Sequence, residues 1–396
     1  MKNIFVFLCL ALLCGCHGFS AKKNSTEDSA QYYPPTPSRL DKNEFRHYYR
    51  LLSSFFDSLL LRSGFNGSIL VAKDGNIVYE KYSGKIDLRK KDSITASTPL
   101  HIASVSKTFT AIAILQMVQK KELKLTDSLT TFFPGFPYRG ITIKMLLDHR
   151  SGLPNYLYFI SNSDWDKAKY VTNQDVLNFL YTEKPKMSFP PDTHFSYSNT
   201  NYVLLALIIE KISGETFPVY MQKIFFKPLG MKDTYIFTLA DSLKATPSFN
   251  YNGRVWDRDF LEGTYGDKNV YTTPRDLLKW DQALYTEQLI SKELLDSAFT
   301  PYSFERKSIH NYGLGWRLQL LPNGKKIIYH FGRWHGFNAA FSRLVEEKAT
   351  IIILGNKFDR NIYYAARAAA NIFGDYYPKP ATDEDDTEEM VPEKNK

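Results

Sequence analysis

Ser104-Val105-Ser106-Lys107 puts a hydroxyl and an amine three residues apart where an apolar helical pattern begins. On a helix this spacing returns the lysine to the serine's face one turn later. A serine at a helix N-terminus also sits among unpaired backbone N–H groups and the positive end of the helix dipole. Nucleophile, activating amine and oxyanion donor then come from a single turn, which is equipment for acyl transfer. Alone the spacing carries little weight, because Ser20-Ala21-Lys22-Lys23 repeats it by accident in a polar segment. Two further patterns give it context. Tyr197-Ser198-Asn199 is the only Y-x-N among 26 tyrosines and lies just before a predicted helix. His330-Phe331-Gly332 is the only H-x-G among eight histidines and lies at the end of a predicted strand.

The elements that must bring these patterns together are legible from periodicity. Phe45, Tyr48, Leu52, Phe55, Phe56, Leu59 and Leu60 recur at three- and four-residue steps and make one apolar helical face. Residues 67–72 and 77–82 read as strands around the turn Lys73-Asp74-Gly75-Asn76. Residues 108–119 and 202–212 read as buried helices, the second stopped by Ser213-Gly214. A third helix, 276–284, follows Thr273-Pro274, a cap and a first-turn proline. Strand signals return at 315–321, 326–331, 339–345 and 350–354, before a closing helix at 362–373. Strands at both ends with helices between predict an α+β fold, an antiparallel sheet shared by the N- and C-terminal segments and flanked by helices. A mostly helical insert is expected at about residues 108–240.

In this order the three patterns resemble the motifs of the serine β-lactamase and penicillin-binding protein superfamily, in its class C β-lactamase-like branch. Leu146-Leu147-Asp148-His149-Arg150-Ser151-Gly152-Leu153-Pro154, Pro228-Leu229-Gly230-Met231 and Tyr271-Thr272-Thr273-Pro274-Arg275-Asp276-Leu277 add to the resemblance, which spans about residues 65–373. It implies a β-lactamase/transpeptidase-like α/β sandwich and an acyl-enzyme mechanism without metal or cofactor. Ser104 would be the nucleophile, and Lys107, by its charge, would favour the ionised forms of Ser104 and of Tyr197, the general base. Which of Lys107 and Tyr197 takes the first proton is left open by the resemblance. Asn199 would bond Lys107 and the substrate's amide. The N–H groups of Ser104 and Arg333 would form the oxyanion hole, with Gly332 keeping side-chain bulk away from the acyl group. The implied substrates are esters, D-amino peptides or β-lactams.

Two positions depart from that pattern. The third motif opens with His330 where penicillin-recognising members carry lysine. A largely neutral histidine in place of a fixed cation favours an esterase or peptidase over a β-lactamase. Arg150 stands where a small hydroxyl residue is usual and receives no role. Arg333, Trp334 and His335 either line the mouth of the pocket or form a surface loop.

The 396 residues, 43% hydrophobic and 23% charged, have ordinary globular composition. The net charge of +8 would suit an anionic partner. No basic run, zinc-ligand spacing or nucleic-acid motif accompanies it, so nucleic acid is not an expected partner. Lys2 and a short apolar run at 4–13 have the form of an export signal, too short for the roughly 20 residues that cross a bilayer. Leu13-Cys14-Gly15-Cys16 resembles a bacterial lipobox, with Cys16 as the lipidated residue, and an ordinary signal cleaved near Ala21 is the alternative. All three cysteines, Cys9, Cys14 and Cys16, lie in this leader, so the body has no disulfide to lean on. The expected organisation is a signal peptide at 1–15, a polar tether at 16–43, the hydrolase domain at 44–376 and an acidic tail at 377–396. Together these readings describe an exported, membrane-anchored serine hydrolase of the bacterial cell envelope, acting on an ester or amide. A non-catalytic envelope protein that binds peptidoglycan or a partner is the alternative of another class.

Overall fold

The structure, a computed structural model, describes residues 37–376. The signal segment, Cys16, most of the tether and the acidic tail lie outside the described residues. Asp41 caps the first helix, α1 (Lys42–Leu59), its carboxylate accepting from the N–H groups of Asn43 and Glu44. Lys42 and Asn43, read from the sequence as tether, are therefore the helix's first residues.

Strands β1 (Gly67–Lys73) and β2 (Asn76–Ser83) form the expected hairpin, with Asp74 and Gly75 at φ 47° and 74° in its turn. β3 (Leu100–His101) leads through a 3-10 turn, Ala103–Val105, into α2 (Ser106–Gln119). Next come α3 (Ile143–Leu147), α4 (Asn199–Ser213), β4 (Tyr235–Ile236), β5 (Val270–Thr272) and α5 (Pro274–Ala283). The chain then returns as β6 (His310–Tyr312), β7 (Arg317–Leu320), β8 (Lys326–Trp334), β9 (Phe337–Leu344) and β10 (Ala349–Gly355). Helix α6 (Asn361–Ala369) follows.

The main sheet runs β2-β1-β10-β9-β8-β7-β6, antiparallel throughout. Ile69 faces Ile353 across the β1–β10 seam, so the two ends of the folded body share one sheet as expected. Alternation along β10 sends Ile351 and Ile353 into the layer of α1 and α6. Ile352 and Leu354 go into the larger core with α2, α4 and α5. Both faces are covered, which is why these strands read as unbroken apolar runs. Helix α2 is buried from Ser106 to Met117 and hence apolar nearly all round. The strand expected at 315–321 is shorter, because Gly315 turns at φ 87° and packs where a Cβ would lie 2.3 Å from that of Ala111 on α2. The short sheet β3-β5-β4 and strand β6 have too few residues to show a period. Among the described residues no helix is long and apolar enough to cross a membrane.

A buried ion pair ties α5 to the sheet. Arg343 Nε donates to Asp281 Oδ1 at 2.5 Å, and the Thr350 hydroxyl donates to Asp281 Oδ2 at 2.6 Å. Asp281→Ala would strand the Arg343 charge in the core at a cost of about 3–5 kcal/mol. Urea unfolding should show that loss, and a change below about 1 kcal/mol would contradict the role assigned to the pair.

Candidate active site

The turn that carries Ser104 is held in an unusual backbone state. Ala103 has φ 46°, a left-handed conformation that costs a residue with a Cβ about 1 kcal/mol or more. Its N–H donates to His101 Nδ1 at 3.1 Å, and Ile102 N–H donates to the Val270 carbonyl at 3.0 Å. His101 Nε2 is held in turn by Asn269, lying 2.9 Å from its Oδ1 and 3.2 Å from its backbone nitrogen. Burial pushes His101 down to about 4, so the ring is neutral at pH 7. Ser106, the other serine of the motif, accepts the Val270 N–H at 3.1 Å and pins α2 to β5. Ser104 is thus on the 3-10 turn just ahead of the α-helix, and its spacing to Lys107 still places the two side chains together.

Lys107 is fully buried, and its ammonium donates to Ser104 Oγ at 3.0 Å, Asn199 Oδ1 at 2.7 Å and the Asp267 carbonyl at 2.8 Å. Asn199, at the start of α4, therefore makes the lysine contact that the resemblance implied. The ring of Tyr197 stacks near this group, its centroid 5.0 Å from Lys107 Nζ. The Leu146–Pro154 motif holds the Tyr-Ser-Asn segment in place. His149 Nδ1 accepts from Ser198 N–H at 3.2 Å, the His149 carbonyl accepts from Ser196 N–H at 2.9 Å, and the Ser198 hydroxyl donates to the Pro154 carbonyl at 3.2 Å. Arg150 points elsewhere, into ion pairs with Asp192 and Glu305.

A cavity of about 240 Å³ opens over these groups, lined by Ser104, Tyr197 and Asn199 together with Asp267, Lys268 and Arg333. Trp334 and His335 line it too, which decides the earlier alternative in favour of the pocket. Both donate to Glu262, at 3.0 and 2.8 Å. Burial raises the Glu262 carboxyl, but the His335 hydrogen bond and, further off, the Lys268 charge help hold the group below its usual range. Asp259, Glu262 and His335 bring ligand atoms within 4.8 Å of one another, the one such grouping among the described residues. Glu262 Oε1 already takes the Trp334 and His335 donors, so the arrangement is a hydrogen-bonded wall.

Two residues of the third motif lie against the protein's own groups. His330 is fully buried and is not among the residues lining the cavity. Its Nδ1 donates to the Phe331 carbonyl at 2.7 Å, and its Nε2 faces the Tyr312 hydroxyl at 3.0 Å, one layer behind Tyr197. Gly332 comes tight against the serine's turn. A Cβ there would lie 2.4 Å from the Ile102 carbonyl and 2.8 Å from the Ser104 nitrogen, so it would strike the turn that carries the serine. The Gly332 carbonyl is fixed from behind by the Tyr363 hydroxyl at 2.9 Å. His101, Asp267 and Arg317, all near the serine or Tyr197, carry no motif of their own. A backbone carbonyl such as that of Asp267 leaves no trace in residue identity.

A seven-stranded antiparallel sheet with helices on both faces, and a Ser-x-x-Lys pair facing Tyr-x-Asn, define the serine β-lactamase and penicillin-binding protein class. The chain belongs to the Beta-lactamase family, whose model matches residues 62–373. It is 34% identical over 362 residues to Penicillin-binding protein 4* of Bacillus subtilis (strain 168), covering 86% of this chain and 79% of that one. It is 28% identical to a D-aminopeptidase of Brucella anthropi, covering 74% of this chain and 56% of the relative. The octameric penicillin-binding protein homologue from Pyrococcus abyssi superposes with a TM-score of 0.71 at 28% identity, covering 82% and 77% of the two chains.

Three buried imidazoles make stability depend on pH. Besides His101, burial drives His149 and His330 well below 6.5, with the charges of Lys107 and Arg317 adding to it. In the unfolded chain these histidines protonate near 6.5, while the folded ones stay neutral. Their stabilisation is complete above about pH 6.5 and is lost as pH falls toward 4. Asp148, pushed up to about 6 by burial against the pull of Lys144, opposes this with one proton. The melting temperature should fall on the order of 5 °C between pH 7.5 and 5. A flat profile over that range would contradict the neutral assignment.

Proposed function

We propose that the protein is a serine hydrolase that forms an acyl-enzyme on Ser104 and hydrolyses an ester or amide, in the manner of an esterase or D-amino-acid peptidase. The observation that carries this reading is the Lys107 ammonium joining Ser104 Oγ to Asn199 at the floor of the cavity. In this reading Tyr197, ionised beside the Lys107 ammonium, takes the Ser104 proton as the oxygen attacks the substrate carbonyl. The resulting oxyanion is received by the N–H groups of Ser104 and Arg333, a reading supported by the close approach of Gly332 to the serine's turn. Collapse breaks the bond to the leaving group, which takes the proton back from Tyr197. Water then attacks the acyl carbonyl by the reverse route and frees Ser104.

The D-aminopeptidase relative supports a D-amino-acyl substrate, and the buried, neutral His330 supplies no fixed cation for a β-lactam carboxylate. We place the enzyme in the cell envelope, lipid-anchored through Cys16.

Ser104→Ala should abolish covalent labelling by a fluorophosphonate or a fluorescent penicillin, read as an intact-mass shift. Lys107→Ala and Tyr197→Phe should slow p-nitrophenyl ester or D-alanyl peptide hydrolysis roughly 10²–10⁴-fold with the fold intact. Labelling that survives in Ser104→Ala would refute the nucleophile. Absence of turnover on esters, D-alanyl peptides and nitrocefin, with tight peptidoglycan binding, would instead favour a binding protein. Cys16→Ser should abolish incorporation of labelled palmitate in a bacterial host, and unchanged incorporation would remove the anchor.

A further inference from the structure

Tyr197 is bracketed by two cations, only one of which belongs to the motifs. Arg317 opens β7, is nearly buried, and holds its guanidinium carbon 5.2 Å from the Tyr197 ring centroid. Lys107 approaches the same ring to 5.0 Å. Among its neighbours His149, Tyr202 and His330 are neutral, while Asp267 and Lys268, which line the same cavity, pair with each other at 3.6 Å. His149 lies 4.2 Å away, ring to ring, and its imidazole is held neutral by burial with Lys107, His330 and Arg317 nearby. Tyr202 on α4 is held in its phenol form by burial. Tyr312 on β6 stands 6.3 Å off and meets His330, itself neutral. The third motif, which opens with a histidine, therefore brings no positive charge to the site.

We propose that Arg317 is a positioning residue for acylation, supplying Tyr197 with the fixed cation that His330 does not. This rests on the reading of Tyr197 as the base. A guanidinium against a phenol ring fixes the ring's plane and favours the phenolate over the phenol. The effect is strong because little water screens the pair. Arginine suits the task, since it keeps its charge at every pH at which the enzyme works. Arg317 touches no substrate; it acts through Tyr197.

The test compares wild type, Arg317→Lys and Arg317→Gln by the rate of Ser104 labelling with a fluorophosphonate, and by kcat/KM on a p-nitrophenyl ester, from pH 5.5 to 10. Circular dichroism and melting temperature report folding. Arg317→Gln should move the acid limb up by about one pH unit, giving roughly tenfold slower acylation at pH 7 that recovers in alkali. Arg317→Lys should stay within about threefold of wild type, because the charge is kept. If Arg317→Gln does not fold, Arg317→His carries the comparison, since its charge is lost above about pH 6.5. A folded variant with an unmoved limb, or with equal loss at every pH, would overturn the inference. An unlabelled wild-type Ser104 would instead bring down the hydrolase reading, and this inference with it.

Discussion

The site depends on one buried ammonium. Removing Lys107 from water carries a desolvation penalty of several kcal/mol that only well-placed acceptors can offset. The acceptors come from its own helical turn, from the start of α4 and from the backbone just before β5, three parts of the chain far apart in sequence. Misplacing any one would leave a charge unmet in a dry interior. The fold is thus constrained at the point where the chemistry is proposed, and the same constraint sets the serine's direction. Thr110 reinforces it by donating to the Gly266 carbonyl at 2.7 Å, which fixes the loop that presents Asp267.

Around that ammonium the backbone is arranged to spare room rather than to fill it. A left-handed Ala103 swings Ser104 out at the head of α2, and a side-chain-free Gly332 lets strand β8 come against the turn. His101 and Tyr363 hold these two irregular places from behind with single hydrogen bonds to the backbone. Strain and close approach of this kind persist only where the surroundings over-determine them. The seven-stranded sheet and the all-buried α2 provide that rigidity.

Much of this was readable in the residues. The β1–β2 hairpin and helices α4 and α5 announce themselves by turn and cap residues, and α2 and the closing strands by unbroken apolar runs, because local propensity and tertiary burial agree there. The Ser104, Lys107, Tyr197 and Asn199 positions were found from motif order, and the structure gathers them around one cavity. What escaped has physical reasons. The Asp267 carbonyl has no residue signature. The contacts of Arg317 with Tyr197 and of His101 with the Ala103 N–H are encoded by no local spacing. Short strands such as β6 hold too few residues for alternation to register. The resemblance of the third motif points His330 toward the substrate, and no local spacing shows that it is buried beside Tyr312. Gly332 was rightly singled out, but its neighbour is the serine's own turn.

The central claim is that carbon–oxygen bond formation at Ser104 precedes hydrolysis. Rapid acid quench during turnover of an activated ester, followed by peptide mass spectrometry, tests it most directly. The account predicts a burst approaching one equivalent of leaving group per protein, with the acyl mass on the peptide bearing Ser104. Steady turnover without a burst and without an adduct, under conditions where deacylation is slowed, would contradict it.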